Sequence, residues 1–204
     1  MKHIVVIPTY NEAENIENLI SEVFKLYQAL SILVVDDSSP DGTADIIKKL
    51  QNTHENLFLL SQEKKSGLAN AYINGFKWAM EKDYDVFTSM DADFSHNPKY
   101  LAAAIKAINE GYDIACASRY INNANTDEKQ WFRNLISIGG NLYINFVLGS
   151  QLKDWTGGFN TYTRKALEKI NIDSISVKGY IFQAQMKLKA VKSGLKLKNF
   201  LLIL

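Results

Sequence analysis

The sequence has one cysteine, only three arginines among its 23 basic residues, and no apolar run long enough to cross a membrane. A lone Cys116 cannot close an internal disulfide, and its apolar setting in "DIACAS" predicts a buried strand position in a reducing compartment. A membrane-spanning helix needs roughly 18 consecutive apolar residues, and a secretory leader needs a charged stretch ahead of an apolar one. Neither pattern occurs, which points to a cytoplasmic protein. With 47% hydrophobic and 22% charged residues in 204, the composition suits one large domain with a single core and no linker.

Glycine is missing where a dinucleotide-binding protein needs it. The turn after the first apolar run, "IPTYNEAEN", contains none, so a pyrophosphate could not approach the backbone and helix N-terminus there. The nearest glycine-spaced segment, "GLANAYING", follows the third apolar run, and no GxxxxGKS or GxxxxGKT phosphate loop is present. Dehydrogenases and P-loop enzymes are thereby excluded.

Lysine supplies nearly all the positive charge, so the surviving arginines mark places where a planar fork is needed to grip phosphate or carboxylate. Arg164, opening "RKALEKI", reads as a buried ion pair, whereas Arg119 and Arg133 read as ligand contacts. The net charge of +1 conceals a basic tail: no acidic residue follows Asp173, while Lys178, Lys187, Lys189, Lys192, Lys196 and Lys198 do. Such a tail suits an anionic membrane surface or a phosphate ligand, and equally a solvated lysine face.

What is present alternates. Apolar runs "HIVVIP", "ILVVDD", "LFLLSQ", "DVFTSMD" and "DIACASRY" read as strands. Between them, "NEAENIENLISEVFKLY", "DGTADIIKKL" with Asp41 or Thr43 as cap, the stretch 67–81 and the stretch 98–109 read as helices. Alternation of this kind predicts an α/β fold with a mostly parallel sheet flanked by helices. Ligands of such sheets bind beyond the carboxyl ends of the strands. There lie "PTYNE", "DDSSPDGT", "DADFSH" and "SRY".

Asp91 and Asp93, two apart in an extended segment, point the same way and repel unless a cation sits between them. A divalent ion held jointly by carboxylates and diphosphate oxygens would meet that need. The tripeptide alone also occurs as a plain helix cap. His96, His3 and His54 read as structural residues. The apolar stretch "WFRNLISIGGNLYINFVLG" reads as a helix with more apolar surface than one buried stripe needs, through core packing or contact with a membrane or isoprenoid.

Taken together, "VVIPTYNEAENI", "VVDDSSPDGTADI", "MDADFSHNP", "ASRY", "RNLISIGGNLY", "DWTGGFNTYTRKAL" and "GYIFQAQMKLKA" resemble, in order and spacing over nearly the whole chain, the inverting family 2 glycosyltransferases. More narrowly the chain is similar to the dolichyl-phosphate (polyprenol-phosphate) mannosyltransferase group. The resemblance implies a single GT-A, Rossmann-like catalytic domain over residues 1–204, truncated at its C-terminal end. It implies nucleotide contacts from Pro8, Tyr10, Glu12 and Asp36 with Asp37 close by, and Mg²⁺ or Mn²⁺ held by Asp91 and Asp93 with Ser95 completing the shell. Arg119 and Arg133 would meet the acceptor phosphate. The implied reaction moves a hexose, mannose from GDP-mannose, onto a polyprenyl phosphate, which is anionic already and needs no general base. Alternatives are a UDP-glucose-type transferase with another acceptor, or a nucleotide-sugar-binding protein without turnover. The implied setting is peripheral, at the cytoplasmic membrane face, with no nucleic acid and, as one option, a membrane-anchoring partner. Three departures stand out: Gln185 where the family usually has glutamate, Ala69 where a second glycine is common, and an end at "LKNFLLIL" before a loop carrying arginine, glycine, serine and lysine.

Overall fold

The computed structural model describes residues 1–118, 152–176, 179 and 181–201. Arg119, Arg133, Lys178 and the apolar stretch 131–149 lie outside them. Among the described residues the strands are β1 (His3–Thr9), β2 (Ser31–Asp36), β3 (Leu57–Ser61), β4 (Val86–Ser89), β5 (Ile114–Ser118), β6 (Asn160–Thr163) and β7 (Leu197–Leu201). The helices are α1 (Ile16–Leu26), α2 (Thr43–Gln51), α3 (Leu68–Glu81), α4 (Leu101–Asn109), α5 (Arg164–Ile170) and α6 (Ile181–Lys192). The strands form one sheet in the order β3-β2-β1-β4-β6-β5-β7. Only β6 runs against its neighbours, pairing antiparallel with both β4 and β5.

Every residue of β1 and β2 is buried, as expected of strands covered on both faces. The two-residue side-chain period divides them between two cores. Ile4, Val6, Leu33 and Val35 join the core that Tyr72 and Phe76 of α3 and Phe182 and Met186 of α6 complete. Val5, Ile7, Ile32 and Val34 pack on the other face with Leu19 and Val23 of α1, Ile47 of α2 and Leu101 of α4. Helix α1 buries Ile16, Leu19, Ile20, Val23 and Phe24, the helical spacing read from the sequence. Cys116 is buried in β5, where burial pushes its thiol up to about 11 and leaves it unreactive at neutral pH.

Two cations serve the fold differently from expectation. The fork of Arg164 closes on backbone carbonyls rather than a carboxylate: Nε donates to Tyr84 at 3.0 Å and Nη2 to Met80 at 2.8 Å, tying α5 to the end of α3. Lys187 is fully buried, so it is no part of a solvated lysine face. Its ammonium donates to the carbonyls of Asp154 at 2.8 Å and Gly157 at 3.0 Å, ahead of β6.

Helix α3 lies close to the sheet because residue 75 has no side chain. A Cβ there would lie 2.5 Å from Val6 Cγ1 and 3.0 Å from Val35 Cγ2, both on stiff β-branched residues of central strands. Gly75→Ala is therefore expected to overpack the core and cost about 1–3 kcal/mol, a loss of several degrees in Tm measurable by calorimetry. His3 supplies a second test. Its Nε2 lies 2.8 Å from Thr88 Oγ1, and burial lowers its pKa from 6.5 to about 4. Above pH 6.5 the ring is neutral folded or unfolded. Between 6.5 and 4 the unfolded chain takes up a proton that the folded chain refuses, so stability falls on acidification and levels off below 4. The full effect is of the order of 3 kcal/mol. His3→Leu should flatten that part of the pH profile in urea titrations, since Thr88 keeps Thr161 Oγ1 as a partner at 2.6 Å.

Candidate active site

β1, β2 and β4 end at the same edge of the sheet, and a cleft of about 210 Å³ opens there. Of the residues expected at a site, Pro8, Tyr10, Glu12, Asp37, Asp91 and Asp93 line it together. Asp36 and Ser95 do not line it, and Arg119 and Arg133 lie outside the described residues. Its walls carry four carboxylates and one ammonium, that of Lys65, which sits 3.3 Å from the centre of the Tyr10 ring. Such a cleft attracts cations. A larger cavity of about 950 Å³ opens near the starts of β1 and β2, among Lys2, Leu30 and Trp78. No carboxylate lines it, so size alone does not mark the chemistry.

The cleft is held open by its own acidic motif. After β1, three successive N–H groups donate to side chains that follow β2: Asn11 to Ser39 Oγ, Glu12 to Thr43 Oγ1 and Ala13 to Asp41 Oδ2, each at 3.0 Å. Asp36, almost fully buried, accepts from Thr9 Oγ1 at 2.9 Å and from Ser39 Oγ at 2.6 Å. Asp37 accepts from the N–H groups of Ser66 at 2.6 Å and Gly67 at 2.8 Å, fixing the turn into α3. Neither Asp41 nor Thr43 is the helix cap: Gly42, at φ 90°, precedes α2 without a side-chain cap bond, while Asp41 Oδ1 accepts the Thr43 N–H at 3.0 Å across the turn ahead of it.

Asp91 and Asp93 follow β4. Asp93 Oδ1 accepts the N–H of Ser95 at 3.0 Å, an Asx turn that puts Phe94 in the left-handed region at φ 59°. Partial burial pushes the Asp93 carboxyl up, but hydrogen bonds from the Ser95 hydroxyl and N–H outweigh this and hold it below the usual carboxylate range. Asp91 Oδ1 accepts from the Tyr72 hydroxyl at 2.7 Å. Burial first, then the Asp91 charge, raises the Tyr72 phenol well above its ordinary value, so it stays a donor. His96 Nδ1 accepts the Asp91 N–H at 2.9 Å, which puts the ring proton on Nε2, 3.8 Å from Asp91 Oδ2. The ring stacks on Phe159 at 5.3 Å, in the structural role read from the sequence.

Sequence reasoning missed Thr9, Lys65, Tyr72 and Gly158. Tyr72 falls on the buried face of α3, where its spacing cannot be told from that of a core residue. Gly158 leaves room for the site, since a Cβ there would come within 3.2 Å of both Asp91 Oδ2 and the His96 ring. Its position beside Asp91 follows only from the antiparallel pairing of β6.

The architecture is the GT-A type expected from the sequence, a mostly parallel seven-stranded sheet flanked by helices. The chain is similar in fold to a mannosyltransferase from Pyrobaculum calidifontis solved in complex with GDP-Man and Mn²⁺, with a TM-score of 0.62 at 21% identity. That match covers 98% of this chain and 54% of the other. In sequence it is 37% identical over 192 residues to the polyprenol monophosphomannose synthase of Mycolicibacterium smegmatis, spanning 94% of this chain and 72% of that protein. It is 36% identical over 194 residues to the undecaprenyl-phosphate mannosyltransferase of Micrococcus luteus, spanning 95% of this chain and 79% of that one. The family model for glycosyl transferase family 2 matches residues 4–171. With most of its length matched and both relatives above one-third identity, the chain belongs to glycosyl transferase family 2.

Proposed function

We propose that this chain is the catalytic domain of an inverting, metal-dependent hexosyltransferase that moves mannose from GDP-mannose to a polyprenyl phosphate at the cytoplasmic face of a membrane. The observation that carries the reading is that Asp91 and Asp93 share one cleft wall with Tyr10, Glu12 and Asp37. The names of the two relatives, both above 35% identical, favour mannose and a polyprenyl phosphate.

The residues fit a divalent cation. Among the described residues no group of three or more His, Cys, Asp or Glu gathers to hold a metal outright. Two carboxylates are what Mg²⁺ or Mn²⁺ takes from a protein when a diphosphate provides further oxygens. Asp91 and Asp93, with Ser95 beside them, would hold the ion, which when bound neutralises the charge of the departing diphosphate.

The chain's own groups do the rest. Pro8, Tyr10 and Glu12 offer the nucleoside a wall, while Asp36 and Asp37 lock the loops that form it. Arg119 and Arg133 are assigned to the acceptor phosphate, two of whose oxygens a planar guanidinium fork can grip at once. That phosphate attacks as an anion, so no side chain has to remove a proton, and catalysis reduces to alignment and charge stabilisation. Among the described residues no helix is long and apolar enough to cross a membrane. Contact with an anionic lipid surface is assigned to Lys189, Lys192, Lys196 and Lys198, basic residues after Asp173 that are not buried.

The test is transfer of label from GDP-mannose to a short polyprenyl phosphate, scored in the organic phase, with Mn²⁺ and with chelator. Lipid label that chelator abolishes is expected. Asp93→Ala should lower it about 100-fold or more, the scale of losing several kcal/mol of charge stabilisation. Because Asp93 is exposed, the variant should lose no more stability than its turn bonds to Ser95 supply, about 1 kcal/mol, and stay folded. Metal-dependent transfer retained by Asp93→Ala would refute the site, and transfer from UDP-glucose alone would change the donor.

A further inference from the structure

We propose that Tyr72 is a positioning residue for the cation end of the cleft: its hydroxyl sets the bearing of the Asp91 carboxylate, and divalent-metal affinity depends on that hydrogen bond. The inference rests on the reading of the cleft as a metal and diphosphate site.

Tyr72 belongs to α3 and is fully buried. A buried phenol has to find an acceptor for its hydroxyl. This one reaches from the helix to the end of β4 and donates to Asp91 Oδ1 at 2.7 Å. The ring cannot swing away. It lies parallel to Phe182 of α6, with centroids 5.9 Å apart and planes 3° apart, and packs on Phe76 at 6.0 Å.

Asp91 Oδ2 meets a different wall. His96 Nε2 lies 3.8 Å from it, and the backbone of Gly158 comes so close that a Cβ there would sit at 3.2 Å. One oxygen is thus fixed by a donor and the other limited by a ring and a glycine. The carboxylate, a quarter exposed, lines the cleft. Asp93 is oriented by other means, a turn to Ser95 two residues on. One aspartate takes its direction from local sequence, the other from a helix that arrives from elsewhere in the fold. A metal-binding carboxylate whose direction is set in advance by a hydrogen bond needs no rearrangement when the ion arrives. Removing such a partner lowers metal affinity by about 10- to 100-fold.

Tyr72→Phe deletes one oxygen and keeps the stacked ring. Mn²⁺ affinity of the full chain, read from the paramagnetic resonance signal of free Mn²⁺ with GDP or UDP present, should fall at least about tenfold. The far-UV circular dichroism spectrum should match that of the unsubstituted chain, and metal-free unfolding should remain one cooperative transition with its midpoint lowered only as far as the loss of one hydrogen bond lowers it, which separates positioning from general damage. An Mn²⁺ affinity within twofold of the unsubstituted chain would overturn the role of Tyr72 and leave the proposed function standing. Failure of the unsubstituted chain to bind Mn²⁺ with either nucleotide would overturn both.

Discussion

An ionised carboxylate taken out of water costs several kcal/mol unless donors replace the water it loses. This chain buries Asp36, Asp37 and Asp154 along one edge of an apolar sheet, and each is met by nearby hydroxyl and N–H groups. Those bonds determine where the loops go. Asp36 draws Thr9 and Ser39 together, Asp37 draws in the turn before α3, and Asp154 takes the N–H groups of Thr156 and Gly157. The cleft is the space left between loops pinned in this way. Its remaining carboxylates, Glu12, Asp91 and Asp93, face a cavity rather than a core.

Backbone strain is concentrated at the same edge. Asn11, Ser38 and Phe94, one after each of β1, β2 and β4, have positive φ without being glycine. Asparagine adopts this conformation at little cost, whereas serine and phenylalanine pay about 1 kcal/mol or more for it. The strain persists because the surrounding hydrogen bonds fix the turns: Ser38 Oγ donates to the Gln62 carbonyl at 2.7 Å, and the Asx turn of Asp93 encloses Phe94. Rigid turns on a rigid sheet hold side chains to the tolerance that a displacement reaction requires.

The strands and helices through β5 were legible because each is written in one dominant period. β1 and β2 are unbroken apolar runs, and α1 shows its buried stripe in Ile16, Leu19, Ile20, Val23 and Phe24. The convergence of the polar clusters after β1, β2 and β4 was legible too, since parallel strands place their carboxyl ends together. The division of labour among the aspartates was not. Asp36 and Asp37 look alike in "VVDD", but one binds the loops after β1 and β2 and the other the turn before α3. Lys187 looked like surface charge because a buried lysine is recognised only by the carbonyls that surround it, and those belong to residues 154 and 157. Tyr72 and Gly158 were hidden for the same reason. Their meaning depends on contacts far apart in sequence, and only tertiary structure supplies those.

The reversed direction of β6 has an architectural consequence. Because β6 runs against β4 and β5, the chain leaves β5 at Ser118 and re-enters at Asn160 on the same rim, beside the end of β4. The return is anchored at that rim: the Ala117 N–H donates to the Phe159 carbonyl at 3.0 Å, and the Ser89 hydroxyl donates to the Gly158 carbonyl. The reversal thus adds the start of a strand to an edge otherwise built from strand ends, and it is Gly158, just ahead of β6, that meets the Asp91 carboxylate there.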